Sequence, residues 1–335
     1  MKRIISLLLA LALTLSLTAC TAPAEKADGG KLQIVTTLFP YYDFARAIAQ
    51  DRADVTLLLS PGREAHSFEP TPLDAVTISK ADVFLYNGGE GEYWVESMMD
   101  AAGEHIAVAS RMMDYVDALD EEYVEGMQGA DGHDHDHEHG SHDDHDHDHE
   151  EDEHDSDEIE YDEHIWTSPK NAIVLCRAVC NAICRADAEN AAFYRTNCEN
   201  YCAQLEDLDA RFAALCESAP RRLLIFADRF PMLYFCREYG LDYRAAFHGC
   251  SGDTEPSLAT IKFLIDKVED ENIPVVYTID FGTKKVAAVV SECTGAAIET
   301  LYSMQTVSRA DFDAGETYLT LMERNFEALR KGLNA

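Results

Sequence analysis

Residues 131–163 hold nine His and eighteen Asp or Glu, with no Lys or Arg among them. Imidazole nitrogen and carboxylate oxygen are both ligands for divalent first-row ions, so His133, His135, His137, His139, His142, His145, His147 and His149 make weak chelation along this tract nearly unavoidable. The plainer alternative is a solvated charge run. Upstream, His66 stands alone in Pro61-Gly62-Arg63-Glu64-Ala65-His66-Ser67-Phe68-Glu69-Pro70. Pro and Gly frame that loop and fix the backbone where the imidazole projects. Loops after strand C-termini are where open α/β sheets bind ligands. Cysteines supply a third chemistry. Cys176, Cys180 and Cys184 recur every four residues, as do Cys198 and Cys202. A thiolate metal site is one reading of that spacing; helix packing by a small apolar residue is the preferred one.

The flanking elements must position these residues. Residues 31–37 and 55–59 read as strands around a helix over 39–51. Residues 71–80 read as a helix with Thr71 as cap and Pro72 in its first turn. Strand, helix and strand follow over 83–86, 94–102 and 106–109, with Trp94 packing beneath them. The alternation predicts an α/β unit with a mostly parallel sheet. Residues 129–158 have no apolar side chain beyond Ala130 and Met is absent, so this stretch is expected to be a disordered loop. Helices are predicted over 169–187 and from 188 to about 217. The second has an apolar stripe of Phe193, Tyr201, Leu205, Leu208, Phe212 and Leu215 and reads as a stiff connector. Alternation then resumes: strands at 223–227, 243–247 and 275–279, and helices at 232–239, 257–270, 284–294 and 317–333. The expected division is 31–187 for a first lobe, 188–218 for the linker helix and 219–335 for a second lobe.

The N-terminus is a targeting segment. Lys2 and Arg3 precede an apolar run from Ile4 to Leu17, too short to span a bilayer and suited to export. Leu17-Thr18-Ala19-Cys20 resembles a lipobox, so residues 1–20 are expected to be a lipoprotein signal, Cys20 the lipidated residue and 21–30 a flexible tether. The mature chain is then extracytoplasmic, held at the cell membrane by lipid and monomeric. A formal charge of −35 excludes nucleic acid as a natural partner. Ten cysteines in an exported protein, nine of them outside the lipobox, lead us to expect some disulfides with at least one thiol left over.

Three segments carry a family resemblance. Residues 61–70 match P-G-x-x-x-H-x-(F/Y)-E-P. Ile78 to Trp94 resembles I-x-x-A-D-(L/V)-x-x-x-N-G-x-x-x-E-x-W. Tyr161-Asp162-Glu163-His164-Ile165-Trp166 resembles a D-x-H-x-W element. In this order, with the acidic histidine tract between the first and last, they resemble the metal-binding subunits of ABC importers for zinc and manganese, the ZnuA, AdcA and TroA type. The resemblance implies two α/β lobes joined by a long rigid helix, with the metal in the interlobe cleft. It also implies His66 and His164 as ligands from the first lobe, and Asp280, after the strand Val275 to Ile279, as a ligand from the second. A turn-capping role is the alternative for Asp280. The remaining ligand position falls on Arg229 in strict register, and a guanidinium cannot ligate a cation. A shift of one residue brings in Asp228, which we take as the ligand, with His248 and Glu255 as rivals.

Two imidazoles and two carboxylates suit Zn²⁺ and keep Mn²⁺ or Fe²⁺ open; the histidine tract favours zinc. The expected function is capture of Zn²⁺ outside the membrane and delivery to an ABC permease and its ATPase, without catalysis. A surface zinc-scavenging or adhesin lipoprotein is the alternative. A zinc hydrolase is disfavoured because neither H-E-x-x-H nor G-x-S-x-G occurs.

Overall fold

A computed structural model describes residues 30–63, 68–102, 106–129, 160–251 and 255–334. Cys20, His66 and the tract containing His133, His135, His137, His139, His142, His145, His147 and His149 lie outside the described residues.

In the first half, β1 (Leu32–Thr36), β2 (Ala53–Leu57), β3 (Val83–Tyr86) and β4 (Val108–Arg111) form one sheet in the order β2-β1-β3-β4. Every pairing is parallel. The crossovers are α1 (Phe39–Ala49), α2 (Pro72–Ile78) and α3 (Trp94–Ala102). Local chemistry sets these starts. Pro40 lies in the first turn of α1, and α2 carries a capping box in which Asp74 Oδ2 accepts from the Thr71 N–H at 2.7 Å.

Two long helices follow, α4 (Pro169–Ala186) and α5 (Ala191–Ser218). Ser168 caps α4 by accepting from the Asn171 N–H at 3.4 Å. In the second half, β5 (Leu223–Phe230), α6 (Leu233–Tyr239), β6 (Asp242–His248), α7 (Leu258–Asp270), β7 (Val275–Ile279), α8 (Lys285–Thr294) and β8 (Ala297–Leu301) build a second parallel sheet, ordered β6-β5-β7-β8. Two more helices, α9 (Arg309–Ala314) and α10 (Tyr318–Leu333), close the chain. Both sheets have the same strand order, so the expected α/β architecture with two parallel sheets is present. Strand β8 and helix α9 are additions to the sequence expectation.

Helix α5 is 28 residues long and packs against α4, α1 and α10. Its buried stripe differs from the expected one at the first turn: Tyr194, Cys198 and Cys202 are inside, whereas Phe193 is only partly buried beneath the Arg52 guanidinium, 4.0 Å from the ring centroid. Ile34 and Val83 of the first sheet, Leu205 and Phe212 of α5, and Phe226 and Tyr277 of the second sheet belong to one continuous apolar core. From Leu32 onward the chain is one compact unit. A buried carboxylate ties the helices together: Asp43 of α1 accepts from the Tyr201 hydroxyl of α5 at 2.7 Å and from the Tyr318 N–H at the start of α10 at 3.0 Å. Trp94 is buried under the first sheet with Val35, Leu58 and Phe84, as expected.

All nine described cysteines are free thiols, so the disulfides expected from their number are not formed among the described residues. Seven of the nine are buried, which explains how a high count is tolerated without pairing. No helix among the described residues is long and apolar enough to cross a membrane.

Candidate metal-binding cleft

His164 reaches the cleft on a segment held by both halves of the chain. The Asp162 N–H donates to the Leu119 carbonyl at 2.9 Å, and the Asp162 carbonyl accepts from the Tyr234 hydroxyl of α6 at 2.8 Å. Asp162 then turns back on His164. Its Oδ1 accepts from the His164 backbone N–H at 2.7 Å and lies 3.1 Å from Nδ1. A carboxylate on Nδ1 fixes the tautomer and ring orientation and directs coordination to Nε2, the arrangement commonly found behind metal-ligating histidines. His164 is 1% exposed. Burial pushes its pKa down, but the charges of Asp162, Glu121 and Glu163 and the hydrogen bond to Asp162 outweigh that and hold it above the ordinary histidine value. Protons therefore compete for this nitrogen at higher pH than at an isolated histidine.

The loop after β3 supports the same segment. Asn87 Nδ2 donates to the Glu163 carbonyl at 3.0 Å, and the Tyr41 hydroxyl donates to Asn87 Oδ1 at 2.5 Å. The Gly91 N–H donates to Glu163 Oε1 at 2.7 Å, and the Gly88 N–H to Glu92 Oε2 at 2.8 Å. Gly88 and Gly89 both have positive φ, 86° and 94°, and a Cβ at Gly89 would sit 2.4 Å from Glu163 Oε1. The N-G-G-E-G-E run is thus a turn that needs its glycines and is closed by two carboxylates. Burial raises Glu163, and it pushes Glu92 up to about 7 against the lowering effect of the Gly88 hydrogen bond.

In the second half, Asp280 directly follows β7, between Ile279 and Phe281, and its Oδ1 accepts from the Ser303 N–H at 3.2 Å. The Ser303 carbonyl accepts from Trp166 Nε1 at 2.7 Å. One residue therefore links the His164 segment to the Asp280 loop. The cleft itself is a cavity of about 300 Å³ open to solvent. His164 from one side and Arg229, Ile279, Phe281, Ser303 and Gln305 from the other are among its lining residues.

Asp228 lies where β5 slips register against β6 between Phe226 and Arg229. A bulge re-aims the side chains that follow it. Asp228 Oδ1 accepts from the Arg229 N–H at 2.9 Å, and a Cβ on Gly282 would come within 1.7 Å of Asp228 Oδ2. The Asp228 carboxylate thus rests on the Asp280 loop, two residues beyond Asp280, and only glycine permits that approach. The rivals also have partners. His248 Nδ1 lies 2.8 Å from Glu121 Oε1, and Glu255 is 3.5 Å from Lys285 Nζ at the surface. Among the described residues, the donor atoms of His164, Asp228 and Asp280 do not converge within 4.8 Å of one another. Asn87, Glu92, Ser303 and Gly282 support the site and were not singled out from sequence. The Asn-Gly and Glu positions were visible as motif residues, but their role was not.

Comparison with known proteins bears on the fold and the family. The family model described as ZnuA, zinc-uptake complex component A, periplasmic, matches residues 34–332. The high-affinity zinc uptake system protein ZnuA of Bacillus subtilis is 31% identical over 316 residues, covering 93% of this chain and 91% of that protein. The zinc-binding lipoprotein AdcA of Streptococcus pneumoniae is 30% identical over 334 residues, and the match spans only 61% of AdcA's length. Among solved structures, the metal-dependent lipoprotein YcdH of Bacillus subtilis superposes with a TM-score of 0.72 at 29% identity, covering 91% of this chain and all 100% of that one. The Zn(II)-bound ZnuA-like domain of Streptococcus pneumoniae AdcA gives 0.71 at 25% identity, with 91% and 100% covered.

Proposed function

Because the chain belongs to the zinc-uptake ZnuA family, we propose that it captures Zn²⁺ outside the cytoplasm and delivers it to an ABC permease and its ATPase. The observation that carries this reading is His164 in the interlobe cavity with Nδ1 on Asp162, opposite an Asp280 loop to which it is linked through Trp166 and Ser303.

His164 and Asp280 contribute an imidazole nitrogen and a carboxylate oxygen, and His66 and Asp228 complete a set of two of each. That donor set suits Zn²⁺ and fills four-coordination, leaving no open position at which a metal-bound water could be activated. Capture and release follow from such a site; hydrolysis does not. The donors drawn from the described residues stand apart until an ion pulls them together. Arg229, which lines the same cavity, carries a charge that repels the ion and must swing aside. With both sheets sharing one core, closure takes the form of local loop movement rather than wide opening about a hinge. The chain acts as a monomer, tethered to the outer face of the cell membrane through a lipidated Cys20. The tract at 131–157 gathers zinc.

Cells deleted for the gene and starved of zinc with a chelator test this. Wild-type protein should restore growth and zinc uptake, while His164→Ala at equal abundance should restore neither. Full restoration by His164→Ala would overturn the proposal.

A further inference from the structure

Five of the nine described cysteines line a single interface, that between α4 and α5. Cys176, Cys198 and Cys202 have their sulfur atoms within 4.8 Å of one another, all three buried, and no other group of metal-capable side chains among the described residues is so tight. Cys198 and Cys202 stand 3.9 Å apart, and the Cys198 thiol also donates to the Cys176 carbonyl at 3.8 Å. Cys180 interacts with Cys198 through a thiol hydrogen bond and lies 4.0 Å from Cys184.

We propose that Cys176, Cys198 and Cys202, with Cys180 as fourth ligand, form a second metal site that holds a structural Zn²⁺ and pins α4 to α5. The separations are the first reason. Four thiolates around Zn²⁺ at about 2.3 Å place neighbouring sulfurs about 3.8 Å apart, close to the 3.9 Å seen here without an ion. A disulfide requires a sulfur–sulfur distance of about 2.05 Å and a defined twist, which two residues four apart on one straight helix do not reach without distortion. The second reason is charge. Thiolates buried in an apolar interface need compensation, and Arg177 approaches Cys202 while Arg195 approaches Cys180 and Cys184. Arg177 is held over the helix pair by Glu206 at 3.3 Å and Glu199 at 3.6 Å. On binding, each thiol yields its proton to solvent and its sulfur lone pair to the ion, with no change of oxidation state. Cys216 and Cys236 are buried away from this group and show what cysteines used only for packing look like.

This site is independent of the cleft, and its sulfur donors give it a distinct signature. Reduced full-length protein in detergent, titrated anaerobically with Co²⁺, should develop a thiolate-to-cobalt charge-transfer band that saturates at one equivalent. The band should be undiminished in His164→Ala, bleached by excess Zn²⁺, retained in Cys216→Ser and Cys236→Ser, and lost in Cys198→Ser. Thiol alkylation of the wild-type chain gives a second reading that does not depend on the folding of Cys198→Ser: Zn²⁺ should protect Cys176, Cys180, Cys198 and Cys202 and leave Cys293 reactive. No charge-transfer band, a band that survives in Cys198→Ser, unprotected thiols, or protein isolated from cells with these cysteines in disulfides would each overturn the proposal.

Discussion

The indole N–H of Trp166 donates to the carbonyl oxygen of Ser303 at 2.7 Å, across 137 residues of sequence. Trp166 belongs to the segment that carries His164, and the Ser303 N–H donates to Asp280. A ligand candidate from each half of the chain is therefore held by one buried relay. Removing the donor leaves a buried carbonyl without its partner, which costs about 1–3 kcal/mol. Trp166→Phe should lower the unfolding free energy by about that amount and also weaken zinc binding. Denaturant unfolding and zinc titration on the same variant check this. Lost stability with unchanged zinc affinity would show that the relay holds the fold and not the site.

Asp162 makes a narrower case. Its carboxylate contacts both the backbone N–H and Nδ1 of His164. Asp162→Asn should keep the fold and reduce zinc affinity by about 10–100-fold, the usual consequence of losing the hydrogen bond behind a histidine ligand. Calorimetric titration at fixed pH measures it.

Glu92 predicts a pH dependence of stability. Its carboxyl moves from the ordinary 4.5 to about 7 on folding, chiefly through burial. Between those values the folded chain binds more protons than the unfolded chain, so stability falls as pH rises. The contribution is fully present below the unfolded pKa and is lost as pH passes the folded one, a span worth about 3 kcal/mol. Glu92→Gln should flatten the melting temperature across this window. An unchanged slope in the variant would assign the pH dependence to another group.

The third ligand can be resolved by a set of single substitutions. Asp228→Ala should weaken zinc binding by at least about tenfold, the scale of losing one charged donor. Gly282→Ala should do the same, because its new Cβ would displace the Asp228 carboxylate. Arg229→Ala should tighten binding by removing a positive charge from the cleft. His248→Ala and Glu255→Ala should leave it unchanged.

Much of this architecture was legible in the sequence. The strand and helix alternation and the Pro, Gly and Thr punctuation placed sixteen of the elements within a few residues. Strand β8 and helix α9 escaped because Ala297–Leu301 alternates too weakly, and Arg309–Ala314 spans under two turns; only the Ser308 cap betrays it. At the site, motif spacing pointed to His164 and Asp280 but not to what holds them. The Asn87 bond to the Glu163 carbonyl joins residues 76 apart in sequence, and no local pattern encodes such a pairing. Nor could register reveal the bulge at Asp228, since a bulge is a property of two paired strands. The cysteines misled in one respect: their high number in an exported chain suggested disulfides, whereas helical spacing turned five of them into one thiol interface.

The central claim is that the cleft binds zinc through ligands from both halves of the chain. Competitive titration of Zn²⁺ against Mn²⁺, on protein lacking residues 1–20 and 131–157, tests it most directly. Beyond any equivalent held by the cysteine site, one tight zinc equivalent that manganese does not displace, lost in His66→Ala and in His164→Ala and strongly weakened in Asp280→Ala, is the predicted result. Tight manganese binding at the same site would contradict the zinc assignment, and no tight site for either ion that depends on His66 and His164 would contradict the cleft itself.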